Sequence, residues 1–131
     1  MTRGLAGMIA VLTACATWSI ASEAQTRRPP AEKLPVPLGA TREQIVLGDR
    51  IFHGEAANGK CSECHGWDAK GTGNGNDLTL GLFIWSDGTM PMIKKSILHN
   101  MSVAPGMDGD LTPADVDAVA AYVWAISHQN R

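Results

Sequence analysis

The sequence has no excess of charge of either sign: 11 Lys and Arg residues stand against 13 Asp and Glu residues among 131, a formal net charge of −2. Proteins whose main partner is nucleic acid carry a basic surface, so this balance excludes that class. Cysteine is scarce as well, and an odd number, three, cannot form a complete disulfide framework. No internal repeat and no strand-like alternation is visible. These absences leave one small domain of helices and loops.

The longest apolar stretch lies near the start of the chain, where residues 4–21 follow Arg3 and precede the small residues around Ala24. A basic start, an apolar run and small residues at the cleavage point are typical of a secretory signal. We therefore expect a signal peptide over residues 1–24. Two alternatives stay open: a lipoprotein signal that ends before Cys15, and an uncleaved membrane anchor. All three predict export to the periplasm, with membrane contact only through a lipid or signal anchor.

Residues 25–40 hold four prolines and no periodic apolar pattern. Such a composition favours extended backbone, so we expect a proline-rich linker or a strap that lies on the domain surface. The folded domain then covers residues 41–131. A domain of this size buries limited apolar surface and would gain stability from a cofactor.

Two capping patterns predict the main helices. Thr41 and Gln44 form a capping-box pattern, which predicts a helix over about residues 42–54. Thr112, followed by a proline at the first helical position, predicts a second helix that ends near His128.

Gly48 lies inside the first predicted helix, where glycine costs about 1 kcal/mol relative to alanine. This indicates that another helix crosses close against it. A shorter third helix is expected to start near Pro91. The predicted fold class is all-α, with long loops between the helices.

Cys61, Cys64 and His65 form the pattern C-x-x-C-H. This spacing lets two thiols form thioethers with one haem, and the adjacent histidine then becomes the proximal iron ligand. A redox dithiol would not require the histidine, and a zinc site would require a second pair of ligands that the sequence lacks. The motif therefore predicts one covalent haem c, with its iron. The glycine-rich stretch 71–75 lacks the features of a phosphate loop and is expected to form a turn beneath the haem.

Together these residues resemble the class I, mono-haem cytochromes c over about residues 41–128. Gly48 and Phe52 match the glycine and the aromatic residue of the family's first helix, and C-x-x-C-H follows as it does there. Ala121 and Tyr122 match the family's pair that packs across that helix. The resemblance implies a small cytochrome c fold, with helices packed around one covalently bound haem.

The resemblance also implies the residues around the iron. Asn76 stands where the family has a proline whose carbonyl accepts the N–H of the proximal histidine, so the Asn76 carbonyl is expected in that role. The family takes its sixth ligand from a methionine before the last helix. Met107, in an irregular loop, is the predicted distal ligand, and Met101 is the alternative. His99 and an open iron site stay open as well.

An iron with histidine and methionine ligands has no free position for substrate, so the resemblance implies an electron carrier and not an enzyme. Redox proteins are then the expected partners, a dehydrogenase and a terminal acceptor. One alternative is a dedicated haem subunit of a dehydrogenase or oxidase complex, which the proline-rich segment favours. The other is a sensor or peroxidase with an open haem site.

Further residues have both a structural and a functional interpretation. Four lysines could guide an acidic partner to the haem edge or belong to the solvated surface, namely Lys60, Lys70, Lys94 and Lys95. Three tryptophans are expected in the haem pocket or the core, namely Trp67, Trp85 and Trp124. His53 is expected at the surface or edge of the first helix.

Overall fold

The computed structural model of the chain describes residues 28–103, residue 106 and residues 111–130. Within these ranges lie four α-helices, α1 Arg42–Phe52, α2 Cys61–His65, α3 Met90–Val103 and α4 Pro113–Ser127. A short 3-10 helix covers Ala31–Lys33, and this part of the chain contains no strand. The prediction of an all-α fold with long loops is therefore confirmed. None of the helices in the described ranges is long and apolar enough to cross a membrane.

Two predicted elements lie outside the described residues. These are the signal peptide over residues 1–24, with its alternative end before Cys15, and the distal ligand Met107.

Both predicted capping boxes form. The Thr41 hydroxyl accepts the Gln44 amide at 3.2 Å, and the Gln44 side chain accepts the Thr41 amide at 2.9 Å. Thr112 and Asp115 make the same reciprocal pair at the start of α4. These bonds satisfy amides that the first helical turn leaves without a partner, which is why both helices begin where the sequence predicts.

The first helix ends earlier than predicted, at Phe52 instead of residue 54. His53 caps it, and Gly54 follows with a φ of 76°. Such a left-handed backbone angle ends a helix and is open to glycine without strain.

α1 crosses α4 at Gly48, and this crossing forms the centre of the core. A Cβ atom added at Gly48 would lie 2.0 Å from the Ala118 carbonyl oxygen and 2.9 Å from Cβ of Tyr122. The backbones therefore approach more closely than any side chain at this position allows. The rings of Phe52 and Tyr122 pack beside the crossing, with centroids 5.4 Å apart. The close approach that the glycine predicts is confirmed.

α3 is longer than the short helix expected near Pro91, because its 14 residues begin at Met90 and end at Val103. It packs on α4 through the buried side chain of Ile93. Lys94 and Asp117 add an ion pair between the two helices, with 2.5 Å between nitrogen and oxygen.

Residues 28–40 lie against α1, and we call this segment the N-terminal strap. Ala31 and Leu34 of the strap are buried in the core. Arg42 of α1 donates hydrogen bonds to the carbonyl oxygens of both residues. Arg28, at the start of the strap, pairs with Asp49 of the same helix. The strap thus belongs to the packed domain and covers one side of α1.

Candidate functional site

A cavity of about 460 Å³ lies among the four helices and two loops. Most of its wall is apolar, with side chains from every helix and from the loops at 74–78 and 83–86; among them are Phe52, Leu78, Phe83, Ile93, Ile97, Val119 and Val123. Apart from His65, Lys60 is the one basic side chain in the wall as far as the structure describes it. A cavity of this volume and character is typical of a site for a large apolar cofactor.

The three residues of the C-x-x-C-H motif all line this cavity. Cys61, Cys64 and His65 form the short helix α2, which ends where Gly66 adopts a φ of 81°. The structure therefore brings both thiols and the histidine to one wall. Burial raises the pKa of the Cys61 thiol to about 11. Reactive redox cysteines have lowered pKa values instead, which argues against the redox dithiol.

The hydrogen bonds of His65 fix the orientation of its ring. Nδ1 lies 2.9 Å from the Asn76 carbonyl oxygen, and since that oxygen only accepts, Nδ1 must carry the hydrogen. Nε2 is then the nitrogen with a lone pair, as a metal ligand requires. The Asn76 carbonyl therefore lies at His65, in the role that the resemblance implies, although asparagine replaces the family's proline at this position.

Gly75 allows the loop after α2 to fold back against the motif. A Cβ atom at this position would lie 2.7 Å from the Cys64 carbonyl oxygen and 3.0 Å from Nδ1 of His65. The Thr72 hydroxyl donates to the same Cys64 carbonyl at 2.5 Å, and the Gly71 amide donates to the His65 carbonyl at 2.8 Å. The glycine-rich stretch is thus a turn packed directly against α2, and it holds the His65–Asn76 pair in place.

α3 supplies a further wall of the cavity, with Met101 at its C-terminal end among the lining residues. Among the described residues, Met90, Met92 and His99 do not line the cavity. Lys60 reaches the loop that follows α3, and its ammonium group donates to the Gly106 carbonyl at 3.0 Å.

Some of the lysines and tryptophans singled out in the sequence line the cavity, and others do not. Lys60 and Trp85 line the cavity. Lys94 is paired with Asp117, and the Trp124 ring stacks on His128 at 3.9 Å, away from the cavity.

The expectation of a surface or edge position for His53 was wrong. Its side chain has no exposed area, and the ring packs against Trp67 with centroids 4.6 Å apart. Nδ1 lies 2.7 Å from the Asp49 carbonyl oxygen, and Nε2 lies 2.8 Å from the Trp67 carbonyl oxygen. Because α1 ends at Phe52, His53 leaves the helix and packs against Trp67. An acidic residue four positions before a histidine was the sequence signal for this pairing.

Asp49 is the centre of this buried group. Burial alone would raise its pKa, but hydrogen bonds from His53 and Arg28 and the positive charges of both lower it overall. Burial and the neighbouring Asp49 raise the pKa of the Tyr122 hydroxyl, which hydrogen bonds the same carboxylate. None of Arg28, Asp49 and His53 lines the cavity, and sequence reasoning missed Arg28 and Asp49 as functional candidates.

The profile of the Cytochrome c family matches residues 45–127, a range that includes all four helices except the first turn of α1 and every residue of the cavity wall. The chain belongs to the cytochrome c family. As a cytochrome c it binds haem c covalently, with its iron, and acts as a haem-based electron carrier with redox protein partners. No solved structure matches the chain at a significant level.

The cavity of this cytochrome fits haem c on the geometry of its own residues. Two thiols stand in the wall beside a histidine whose Nδ1 is already held by a carbonyl. The rest of the wall is mainly apolar, as the face of a porphyrin requires. No group of three or more His, Cys, Asp or Glu side chains in the described residues is placed to hold a metal ion by itself.

Proposed function

We propose that the protein is a periplasmic mono-haem c-type cytochrome that transfers single electrons between redox partners through a haem with histidine and methionine ligands. The observation that carries this proposal is His65, whose Nδ1 is bound by Asn76 in a wall that also presents Cys61 and Cys64. Haem c supplies a one-electron couple between ferric and ferrous iron.

The chain's own residues then hold and tune this couple. Cys61 and Cys64 hold the haem as thioethers, and His65 serves as the proximal ligand, with Asn76 fixing its ring. The apolar wall excludes water and favours the form with less charge, which raises the reduction potential. The crossing of α1 and α4 keeps this wall rigid, so little rearrangement accompanies each electron.

A methionine before the last helix completes the proposal. Met107 is the predicted distal ligand, supported by the contact of Lys60 with Gly106, the residue directly before it. Met101 is the alternative, supported by its place in the cavity wall.

Single substitutions separate the two methionines. If Met107 is the ligand, Met107→Ala removes the absorption band of the bond between the methionine sulfur and the ferric iron, near the red end of the visible spectrum. It also lowers the reduction potential. Met101→Ala then changes neither the band nor the potential. The opposite pattern assigns Met101. Met92→Ala is the matched control, because this half-buried methionine does not line the cavity. If all three variants keep the parent spectrum, the distal ligand is not one of these methionines.

Carbon monoxide distinguishes electron transfer from an open haem site. We expect the reduced protein to be low-spin and its visible spectrum to stay unchanged when the gas is added, because both axial positions are filled. A prompt spectral change would instead show a vacant or labile position and would support a sensor or peroxidase.

The periplasmic location is proposed on the strength of the sequence. The mass of the mature protein tests it: removal of residues 1–24 gives a chain that begins at Gln25. A chain that begins at a lipidated Cys15 would still support export but would assign the lipoprotein signal. A protein that keeps residues 1–24 and stays in the cytoplasm would contradict the proposal.

A second candidate, a dedicated haem subunit of a larger oxidoreductase, is favoured by one observation. Leu80 and Leu82 are 61% and 73% exposed, and neither lines the cavity. Exposed large apolar side chains are a feature of interaction surfaces when they lie together. Stable association with a dehydrogenase or oxidase that is lost in Leu82→Lys would support this role. Leu38→Lys is the control, because Leu38 is fully exposed on the strap.

A further inference from the structure

A cluster of ionisable residues lies outside the wall of the haem cavity, and the proposed electron transfer makes no use of it. We call it the Asp49 cluster: Arg28, Asp49, His53, Glu55 and Tyr122. Arg28 donates from Nε to both Asp49 oxygens, at 2.8 and 3.0 Å, and from Nη1 to Glu55 at 2.6 Å. Through Asp49 the cluster joins the N-terminal strap, α1 and α4.

The hydrogen-bond partners of His53 determine how many hydrogens its ring carries. Nδ1 faces the Asp49 carbonyl oxygen at 2.7 Å and an oxygen of the Asp49 carboxylate at 3.1 Å. Nε2 faces the Trp67 carbonyl oxygen at 2.8 Å. All of these oxygens only accept, so each ring nitrogen must donate. A neutral ring would set a lone pair against one carbonyl, and with no exposed area it could not turn to water.

The charges around the ring agree with an imidazolium. With His53 protonated, the cluster holds two positive side chains, Arg28 and His53, and two negative ones, Asp49 and Glu55. In the described part of the chain, the neutral Tyr122 hydroxyl of α4 also faces the cluster. Buried charges persist in proteins when they are paired in this way.

The second ring nitrogen links the cluster to the haem-binding segment. Trp67 lies two residues after His65, in the stretch that turns back under α2. Within that stretch the Gly71 amide binds the His65 carbonyl, and the Ala69 carbonyl accepts the Leu78 amide. The Trp67 carbonyl, which His53 binds, therefore lies at the start of the turn that leads to the His65–Asn76 contact.

We infer that His53 is an imidazolium that pairs with Asp49, and that it is a positioning residue. It fixes the segment that follows the proximal histidine to α1 and to the N-terminal strap. The role as a haem positioner rests on the proposed function. The protonation state does not rest on it.

The protonation state is measured directly by the ring-nitrogen resonances of ¹⁵N-labelled histidine in the reduced protein at pH 7.5. We expect both nitrogens of His53 to carry hydrogens. The exposed His99 provides the internal comparison. A neutral His53 at this pH would overturn the inference. If the iron has an open position, the carbon monoxide adduct provides a diamagnetic sample for the same measurement. The protonation state of His53 can therefore be tested even if the proposed histidine and methionine ligation is wrong.

The positioning role is measured with His53→Gln. Loss of a charge-assisted hydrogen bond to the Trp67 carbonyl should speed amide exchange at Ala69 and Gly71 about tenfold and shift the reduction potential. Ile126→Val, a buried change in α4 away from the cavity, is the control for general destabilisation and should leave the potential unchanged. Equal effects of the two variants would overturn the positioning role. If His53→Gln does not fold, Asp49→Asn removes the carboxylate that pairs with His53 Nδ1 and is judged by the same two measurements.

Discussion

Gly48→Ala tests whether the crossing of α1 and α4 governs the stability of this cytochrome. The added methyl carbon would lie 2.0 Å from the Ala118 carbonyl oxygen and 2.5 Å from the Ala118 carbonyl carbon. Ordinary contact for such a pair begins at 3.4 Å, so the helices would have to separate by about 1.4 Å. Both atoms of Ala118 belong to the backbone, and no side chain can rotate to relieve the clash.

The expected magnitude follows from two opposing effects. Alanine is more favourable than glycine inside a helix by about 1 kcal/mol. Forcing extra volume into a packed core costs about 1–3 kcal/mol, and a backbone clash belongs at or above the upper end. The net destabilisation is therefore about 2 kcal/mol or more. For a domain of this size that corresponds to a fall in Tm of about 8–16 °C.

Thermal unfolding of the holoprotein, followed by far-ultraviolet circular dichroism, provides the measurement. Gly73→Ala is the matched control, because a Cβ atom there meets nothing within 4 Å. Its Tm should stay close to that of the parent. The informative alternative is a rise in Tm for Gly48→Ala. Helix propensity alone predicts that rise, and observing it would refute the close crossing.

Two further predictions concern the site and its charges. Gly75→Ala sets a carbon 3.0 Å from Nδ1 of His65, so we expect an altered low-spin spectrum that Gly73→Ala does not show; an unchanged spectrum would contradict the role of the turn. The lowered pKa of Asp49 adds stability that is complete above its ordinary value of 3.8 and is lost as the pH falls through the lower folded value. Between pH 5 and pH 3, the free energy of unfolding measured with denaturant should therefore fall more for the parent than for Asp49→Asn. Equal falls in the two proteins would count against the cluster.

Local sequence patterns predicted the parts of this fold that depend on neighbouring residues. Thr41 and Thr112 start their helices because a capping box needs only a side chain and an amide three positions on. The C-x-x-C-H motif likewise sits within five consecutive residues, so its two thiols and its histidine reach one wall together. Gly48 indicated a close helix neighbour, because an interior glycine is unfavourable without one.

Tertiary packing decided what no local pattern contains. His53 was expected at the surface or edge and is buried, because α1 ends at Phe52 and the next residue turns beneath Trp67, fourteen positions away in the chain. The partner of Asp49, Arg28, lies 21 positions earlier in a segment whose prolines indicate only extended backbone. Hydrogen bonds and charge pairs of this kind depend on distances in space, and those are set by how the strap, α1, α4 and the haem-binding segment pack together.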